Sequence, residues 1–321
     1  MKPVLLIPIV IGGVLLVAGG AMFGIAIAQN VKKDVVTRDV DLEDQTFANF
    51  KFDCDVSDIE FKVSEDGKKK ITFKEEKKLT HEYSVSDNTL VITQKDNRKW
   101  YEHIMDFSGL HMKTTIYLPA ATYGNIDLKN ATGDLSVASE FTFENITGKQ
   151  STGDIDIKAK VTDVVDLKTS TGNIKLSNMD PKSVTLKAST GDFYLENLNV
   201  EGDININMPD GGSTGKATLT NVRSNNLSVR TSTGDMKLTN VVVTNKIYLK
   251  ASTGDIKLND VDAQALEIKT NTGDIKGTLL TGKMFSVKTG TSRPSVPQSV
   301  EGHGTCSLDT DTGKIIITIK A

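Results

Sequence analysis

The sequence predicts an all-β fold: a β-solenoid, or parallel β-helix, with about 19–20 residues per coil, preceded by a short β-rich cap segment and one N-terminal transmembrane helix. Three observations predict it. A Thr-Gly-Asp turn recurs at a nearly constant period over residues 123–321, residues 31–122 contain short alternating stretches, and residues 1–30 are almost entirely apolar. We therefore divide the chain at these three ranges into an anchor with a short N-terminal tail, a non-repeating cap segment and a repeat region. A right-handed coil is the expected form.

The apolar N-terminal run covers residues 4–28, which include no charged or strongly polar side chain. As a helix, this run would be about 37 Å long, enough to cross a bilayer core of about 30 Å. Ala26-Ile27-Ala28 also fits a signal-peptide cleavage site, although the apolar cores of signal peptides are usually shorter, about 7–15 residues. We favour an uncleaved anchor in the lipid bilayer, with a cleaved signal peptide as the alternative. Basic residues on both sides of the run leave its orientation undecided by the positive-inside rule.

The segment 31–122 alternates between apolar and polar residues with a period of two. Phe50, Phe52 and Cys54 would share one face of a strand, and Lys51 and Asp53 the other. This pattern is typical of a sheet that is half exposed to water.

Residues 98–112 show no alternation and are predicted to form a packed cap loop, with contact to membrane or a partner as the alternative. Cys54 and Cys306 lie far apart in the chain, at opposite ends of the predicted array, so we expect no disulfide between them. His81, His103 and His111 do not have metal-ligand spacing.

The repeat region contains one motif written about ten times. Each copy has three short apolar stretches and a turn built on glycine, and one coil of this length can bury its apolar face only against its neighbours. One long interval coincides with an insertion at residues 209–212, and Ser292-Arg293 replaces Gly-Asp in the ninth copy. The turn glycines are Gly133, Gly153, Gly172, Gly191, Gly215, Gly234, Gly254, Gly273 and Gly313.

Stacked coils would place equivalent side chains in rows about 4.8 Å apart. Six residues after the turn glycine, an amide row is predicted in a corner of the coil, and its main effect would be to stabilise the stack. The members of this row are Asn178, Asn197, Asn221 and Asn240, followed by Asp260.

Two charged rows flank the turn. We interpret them as turn-forming acids and solvated bases, with a strip for a polyionic wall polymer or a row of cation sites as the alternatives; the nine-residue repeat of calcium β-rolls is absent. The basic row comprises Lys129, Lys149, Lys168, Lys187, Arg230, Lys250, Lys269 and Lys288, and the acidic row comprises Asp134, Asp154, Asp192, Asp235, Asp255 and Asp274.

Composition and motifs exclude several classes of function. A net charge of −3 argues against a nucleic-acid partner. No nucleophile elbow, zinc-protease motif or phosphate-binding loop occurs, and no acidic or basic cluster departs from the repeat background. We therefore predict no catalytic residue, no cofactor and no metal site, and a carbohydrate-active β-helix enzyme remains a remote alternative.

The motifs Thr115-Ile116-Tyr117-Leu118-Pro119 and the repeated Ser-Thr-Gly-Asp-Ile-x-Leu resemble a bacterial domain-of-unknown-function family of β-strand-repeat putative adhesins, over roughly residues 45–321. The resemblance implies a membrane-anchored envelope protein whose solenoid lies outside the cytoplasm, and it carries no catalytic residues. Lysine or arginine follows the turn at Lys216, Arg293 and Lys314, which interrupts the acidic row and speaks against uniform cation binding.

We therefore expect a single-pass protein of the cell membrane with an extracytoplasmic C-terminal solenoid. It would bind or scaffold in the bacterial envelope, in contact with a cell-wall polymer or another envelope protein. An accessory or sensory component of an envelope-stress system is the second hypothesis.

Overall fold

The computed structural model describes residues 35–99, 112–209 and 212–320, which form 24 strands. The predicted span 4–28, most of the predicted loop 98–112 and residues 210–211 lie outside the described residues. Within the described ranges, no helix is long and apolar enough to cross a membrane. The strands are β1 (Val35–Asp41), β2 (Asn49–Val56), β3 (Asp58–Val63), β4 (Lys70–Glu76), β5 (Leu79–Ser86), β6 (Thr89–Asp96), β7 (Lys113–Leu118), β8 (Thr122–Thr132), β9 (Leu135–Val137), β10 (Thr142–Thr152), β11 (Ile155–Ile157), β12 (Lys160–Lys168), β13 (Ile174–Met179), β14 (Ser183–Lys187), β15 (Phe193–Asn199), β16 (Asp203–Asn207), β17 (Ala217–Thr233), β18 (Met236–Thr253), β19 (Ile256–Asp262), β20 (Ala265–Thr272), β21 (Ile275–Leu279), β22 (Met284–Thr289), β23 (Thr305–Thr312) and β24 (Ile315–Ile319).

The predicted all-β solenoid is confirmed. Strands separated by one period pair in parallel and in register, so that Ile155 lies beside Ile174 and Ile174 beside Phe193. Each coil contributes to two such rows of strands, one before and one after the glycine turn. The inward side chains of the coil after Gly234 fall in three short stretches, as the sequence predicts: Met236 and Leu238, then Val241 and Val243, then Ile247, Leu249 and Ala251.

The turn glycine lets adjacent coils approach closely. Gly191 has a φ of +136°, and a β-carbon there would lie 2.0 Å from the carbonyl oxygen of Gly172. The same contact recurs along the stack, up to Gly313 against the carbonyl oxygen of Gly273. No side chain fits at such a position, so the turn requires glycine for two reasons, its backbone conformation and its neighbour.

The first coil comes from the segment without repeats. β2 pairs with β8 and β3 with β9, so that Phe50 lies beside Ile126 and Ile59 beside Leu135. Ser57 occupies the turn and presents its carbonyl oxygen to Gly133. On the other side of this coil, β6 and β7 continue the two rows, and antiparallel β1, β4 and β5 complete the N-terminal cap.

At the C-terminus, the order of coils departs from the order of copies in the sequence. The N–H of Gly273 donates to the carbonyl of Thr312 (2.9 Å), so the last copy stacks directly on the coil of Gly273. β23 lies between β20 and β22, and β22 forms the outer strand. The described chain therefore stacks nine glycine turns rather than ten successive copies.

The segment between β22 and β23 is held to the solenoid by a buried lysine. The Lys283 ammonium lies 2.6 Å from the carboxylate of Asp262 and donates to the carbonyl of His303 (2.7 Å). The lysine side chain is only 3% exposed. Burial of a lysine requires such partners, because an unpaired charge in the interior is costly.

The core changes character along its length. Phe50, Phe61, Phe143 and Tyr123 form an aromatic cluster near the N-terminal cap, with the rings of Phe50 and Phe61 5.1 Å apart and perpendicular. Beyond it, the interior is mostly aliphatic. The low aromatic content of 6% is thus concentrated where the solenoid meets its cap.

Replacing a turn glycine tests the close approach. We expect Gly191→Ala to lower the free energy of unfolding by about 3 kcal/mol or more, because the added methyl group overlaps a backbone carbonyl. Gly67→Ala is the matched control: Gly67 has a φ of +74° but no atom within 4 Å of the added group, so only backbone strain of about 1–2 kcal/mol applies. If urea denaturation gave the same loss in free energy of unfolding for both variants, the close contact between turns would contribute nothing to stability.

Candidate binding surface

The predicted amide row is present in the corner of the coil. The Nδ2 of Asn197 donates to the Oδ1 of Asn178 (2.9 Å), and Asn221 and Asn240 continue the chain with distances of 2.8 Å. These residues have φ between 52° and 59°, the left-handed conformation that asparagine tolerates better than most residues. The two inner amides, Asn197 and Asn221, both donate and accept, so the row links four successive coils and stabilises the stack.

The acidic row serves the backbone of the turn. The carboxylate of each acid accepts the N–H of the equivalent residue in the next coil, as in Asp154 N–H to Asp134 (2.7 Å) and Asp274 N–H to Asp255 (2.9 Å). Asp192 makes the same contact with Lys216 (2.8 Å), and Asp274 with Lys314 (2.7 Å). One oxygen of these acids is therefore occupied by the protein itself.

The surroundings of Asp274 keep it ionised. The Lys276 ammonium and the backbone N–H of Lys314 hold the pKa of this carboxyl below its usual range. In the described part of the chain, no group of three or more acidic, histidine or cysteine side chains could hold a metal ion. These contacts favour the predicted turn-forming role of the acids.

The basic row runs along the outer surface of the sheet formed by β8, β10, β12 and β14. Lys129, Lys149, Lys168 and Lys187 occupy successive positions in register. At the N-terminal end of the row, Lys129 pairs with Asp53 (2.9 Å). The next three lysines form no ion pair or cation–π contact with any described residue.

Further along the same row, the bases have neighbours of their own. Lys269 pairs with Glu267 (2.7 Å), and Lys288 lies 3.6 Å from Asp309. The Arg230 guanidinium stacks over Tyr248, 5.1 Å from the ring centre. The row therefore contains a central part of three consecutive lysines without an ion pair, and on both sides of it bases that contact an acid or an aromatic ring.

A surface depression of about 630 Å³ lies over the free lysines. Its floor includes Gly148, which takes an inward position where the neighbouring strands carry Leu128 and Leu167. A β-carbon at Gly148 would lie 2.7 Å from that of Leu128, so the close approach of these two strands requires a glycine there. Lys51, Asp53, Asp127, Lys129, Lys149, Asp166, Lys168 and Lys187 provide the charged groups of the lining, five positive and three negative.

A second lysine row on the other sheet is neutralised at two of its three positions. Lys237, Lys257 and Lys276 are also in register. Lys276 lies 2.5 Å from Asp274 and Lys257 lies 3.9 Å from Asp255. Two lysine rows with the same spacing therefore differ in the number of acids beside them.

A buried polar network joins the cap to the first coil. The Nδ1 of His81 lies 3.2 Å from the carboxylate of Glu75, and its Nε2 lies 3.1 Å from the hydroxyl of Ser57. Arg38 donates to the same carboxylate (3.0 Å), and Thr114 lies 3.2 Å from Ser57. Sequence reasoning did not find this network, because its members are not periodic and only the fold brings them together.

The network has the order of a serine hydrolase triad but lacks access for a substrate. Ser57 is fully buried, and His81 and Glu75 are 3% and 5% exposed. Burial lowers the pKa of His81 despite the opposing effect of Glu75. Burial also acts to raise the pKa of Glu75, but the hydrogen bonds from Arg38 and from the His81 backbone N–H outweigh it and lower that pKa. The arrangement therefore holds a neutral histidine beside an ionised carboxylate.

The two cysteines lie at opposite ends of the solenoid. Cys54 belongs to the first coil and Cys306 to the last, and both are buried free thiols. Burial raises the pKa of each to about 12. Both thiols therefore remain protonated and unreactive at neutral pH.

The repeat geometry agrees with a known protein family. Its sequence profile matches residues 47–212 and 202–319, which together cover most of the chain. This protein belongs to the Toastrack DUF4097 family. The resemblance noted from the turn motifs is thereby confirmed. Among functionally curated proteins, none matches this Toastrack chain.

Several solved structures resemble this Toastrack protein at low sequence identity. A putative adhesin from Bacteroides fragilis NCTC 9343 is 16% identical, with 89% of this chain and 98% of that chain covered and a TM-score of 0.41. A putative adhesin from Parabacteroides distasonis ATCC 8503 is 12% identical, with coverage of 90% and 98% and a TM-score of 0.44. A putative lipid binding protein from the same organism is 14% identical, with coverage of 89% and 97% and a TM-score of 0.40.

The acidic row can be tested at Asp255. We expect Asp255→Ala to lower the free energy of unfolding by about 1–2 kcal/mol, because the partly buried N–H of Asp274 loses its acceptor. Asp255→Asn is the control, since its amide oxygen can still accept that hydrogen bond. Urea denaturation of the two variants compares them, and similar losses would contradict a role in accepting the backbone N–H.

The buried histidine predicts how stability depends on pH. The folded protein lowers the pKa of His81 below 6.5. Above that pH the histidine is neutral in both the folded and the unfolded chain, so it does not reduce the free energy of unfolding. This free energy falls on further acidification, because only the unfolded chain takes up the proton. Glu75 adds a loss only below its ordinary pKa of 4.5. We therefore expect the melting temperature to decrease between pH 7 and pH 5.

His81→Gln should flatten this dependence, whereas His303→Gln, which alters an exposed histidine, should retain it. Melting curves at several pH values provide the measurement. An unchanged slope in the His81 variant would assign the pH dependence to other groups.

Proposed function

We propose that this protein is a single-pass, membrane-anchored β-solenoid of the bacterial cell envelope, exposed outside the cytoplasm, that binds or scaffolds and does not catalyse. The lipid bilayer would hold it through residues 4–28, and a cell-wall polymer or another envelope protein would be its partner. The observation that carries the proposal is the central part of the basic row. Three lysines without an ion pair line an open depression on a regular sheet.

Several features support binding over catalysis. The serine, histidine and glutamate that could form a triad are buried and engaged with one another. The acids of the turns accept backbone hydrogen bonds. A regular sheet with exposed charges is suited to contact with an extended partner.

The length and apolar character of residues 4–28 support the membrane attachment. An attached solenoid would present its rows of side chains at a fixed distance from the bilayer. An accessory of an envelope-stress system would also need the span, but it would act through contact with a membrane partner rather than through the lysine row.

Protease treatment of whole cells tests the localisation. We expect an added protease to cleave the chain in intact cells, because an extracytoplasmic solenoid is accessible without lysis. A cytoplasmic protein of the same cells serves as the control for membrane integrity. If residues 45–321 remained intact in whole cells but were cut in lysates, the outward orientation would be wrong.

A further inference from the structure

We propose that Lys149, Lys168 and Lys187 bind a linear polyanion that lies along the axis of the solenoid, with one anionic group near each coil. The inference rests on the proposed binding function and specifies the ligand class of the same surface. The ligand is defined by its chemistry: an unbranched polymer with phosphate or carboxylate groups at regular intervals.

The spacing of the three lysines favours a polymer over a single small anion. Their strands pair in parallel and in register, so their α-carbons are about 4.8 Å apart along the axis. The three ammonium groups therefore extend over about two coil spacings. A chain of anionic groups can pair with each lysine at its own coil, whereas a single phosphate or carboxylate would require the outer two side chains to bend towards the middle one.

The lack of counter-charges gives the row its binding potential. Like charges in register repel one another, and several other lysines of the charged rows have an acid beside them. Lys129 has Asp53, Lys269 has Glu267, and Lys276 has Asp274. The free lysines have no such partner among the described residues, so an anionic ligand would relieve their repulsion and gain three charge contacts.

The depression provides an open path, called here the track, along which the polymer can lie. The lysine side chains line an open depression, so a chain can approach the sheet between them. Asp127 and Asp166 lie two residues before Lys129 and Lys168 on their strands and border the track on one side. Their charges would keep a polyanion on the lysine side. Beyond Lys187, the next residue in the row is Asn207, which carries no charge and separates the three lysines from Arg230.

The same features disfavour an anionic membrane surface as the ligand. A bilayer is broad and flat, and it attracts clusters of bases spread over a projecting face. Here the free bases form a single file, and they line a depression. A linear chain matches both the direction and the width of this surface.

Binding of purified full-length protein in detergent micelles to labelled inorganic polyphosphate and to labelled polygalacturonate tests the inference. The key variant is Lys149→Thr/Lys168→Thr/Lys187→Thr, in which β-branched residues preserve the strands. The matched control is Lys237→Thr/Lys257→Thr/Lys276→Thr, which removes the same charge from the other sheet. Circular dichroism verifies that both variants are folded.

We expect the native protein and the control to bind at least one polymer with affinities within about twofold of each other. The key variant should bind about tenfold more weakly or worse at low salt. Its slope of log affinity against log salt should be shallower by about 2, since about 0.7 of a counterion is released for each lost contact with a single-stranded polyanion. Preference for polyphosphate or polygalacturonate distinguishes a phosphate-bearing from a carboxylate-bearing ligand.

Three results would overturn the inference: no binding of either polymer by the native protein, equal weakening by both triple variants, or lysine-dependent binding only to vesicles containing phosphatidylglycerol. The measurement is made on purified protein and does not depend on where the protein lies in the cell. A failure here is therefore distinct from a failure of the protease experiment, which concerns localisation.

Discussion

The close approach of successive turns is the constraint on which the rest of the structure depends. From Gly153 onwards, each turn glycine lies against the carbonyl group of the glycine in the preceding coil. The strands on both sides of the turn pair in register with those of that coil. The extra residues of the long interval before Gly215 do not disturb this contact, because Thr214 returns to register with Thr190. The solenoid core is continuous because every coil presents its apolar residues at the same height as its neighbours.

Stacking in register has a different result for each polar side chain. An amide both donates and accepts, so asparagines can bind one another from Asn178 to Asn240 without other help. A carboxylate only accepts, and in the turn it finds a backbone N–H of the next coil. An ammonium only donates and finds no equivalent acceptor in a row of its own kind. The polar rows thus become either structural or available to a ligand according to their hydrogen-bonding capacity.

The sequence was sufficient for the features that repeat and insufficient for those that occur once. The period predicted the solenoid, the glycine turns and the amide row, because each copy has the same types of residue at the same positions of the coil. It did not reveal that residues 49–63 form the first coil, since Ser57 stands where the other turns have glycine. Nor did it reveal the depression, which arises from one small residue, Gly148, or the network around His81, which depends on contacts between distant strands.

The exchange of strand order at both ends has a consequence for how the chain folds. Neighbouring middle coils can close as soon as the next period is synthesised. In contrast, the strand of Phe50 pairs with that of Ile126, and the strand of Leu266 with that of Cys306, across much longer segments of chain. The intervening strands lie on the outer side of the end coils. Longer separations carry a larger loop-closure entropy and slow the formation of non-local contacts. The terminal coils are therefore expected to be rate-limiting in folding, and they seal the two ends of the core only after the regular middle has formed.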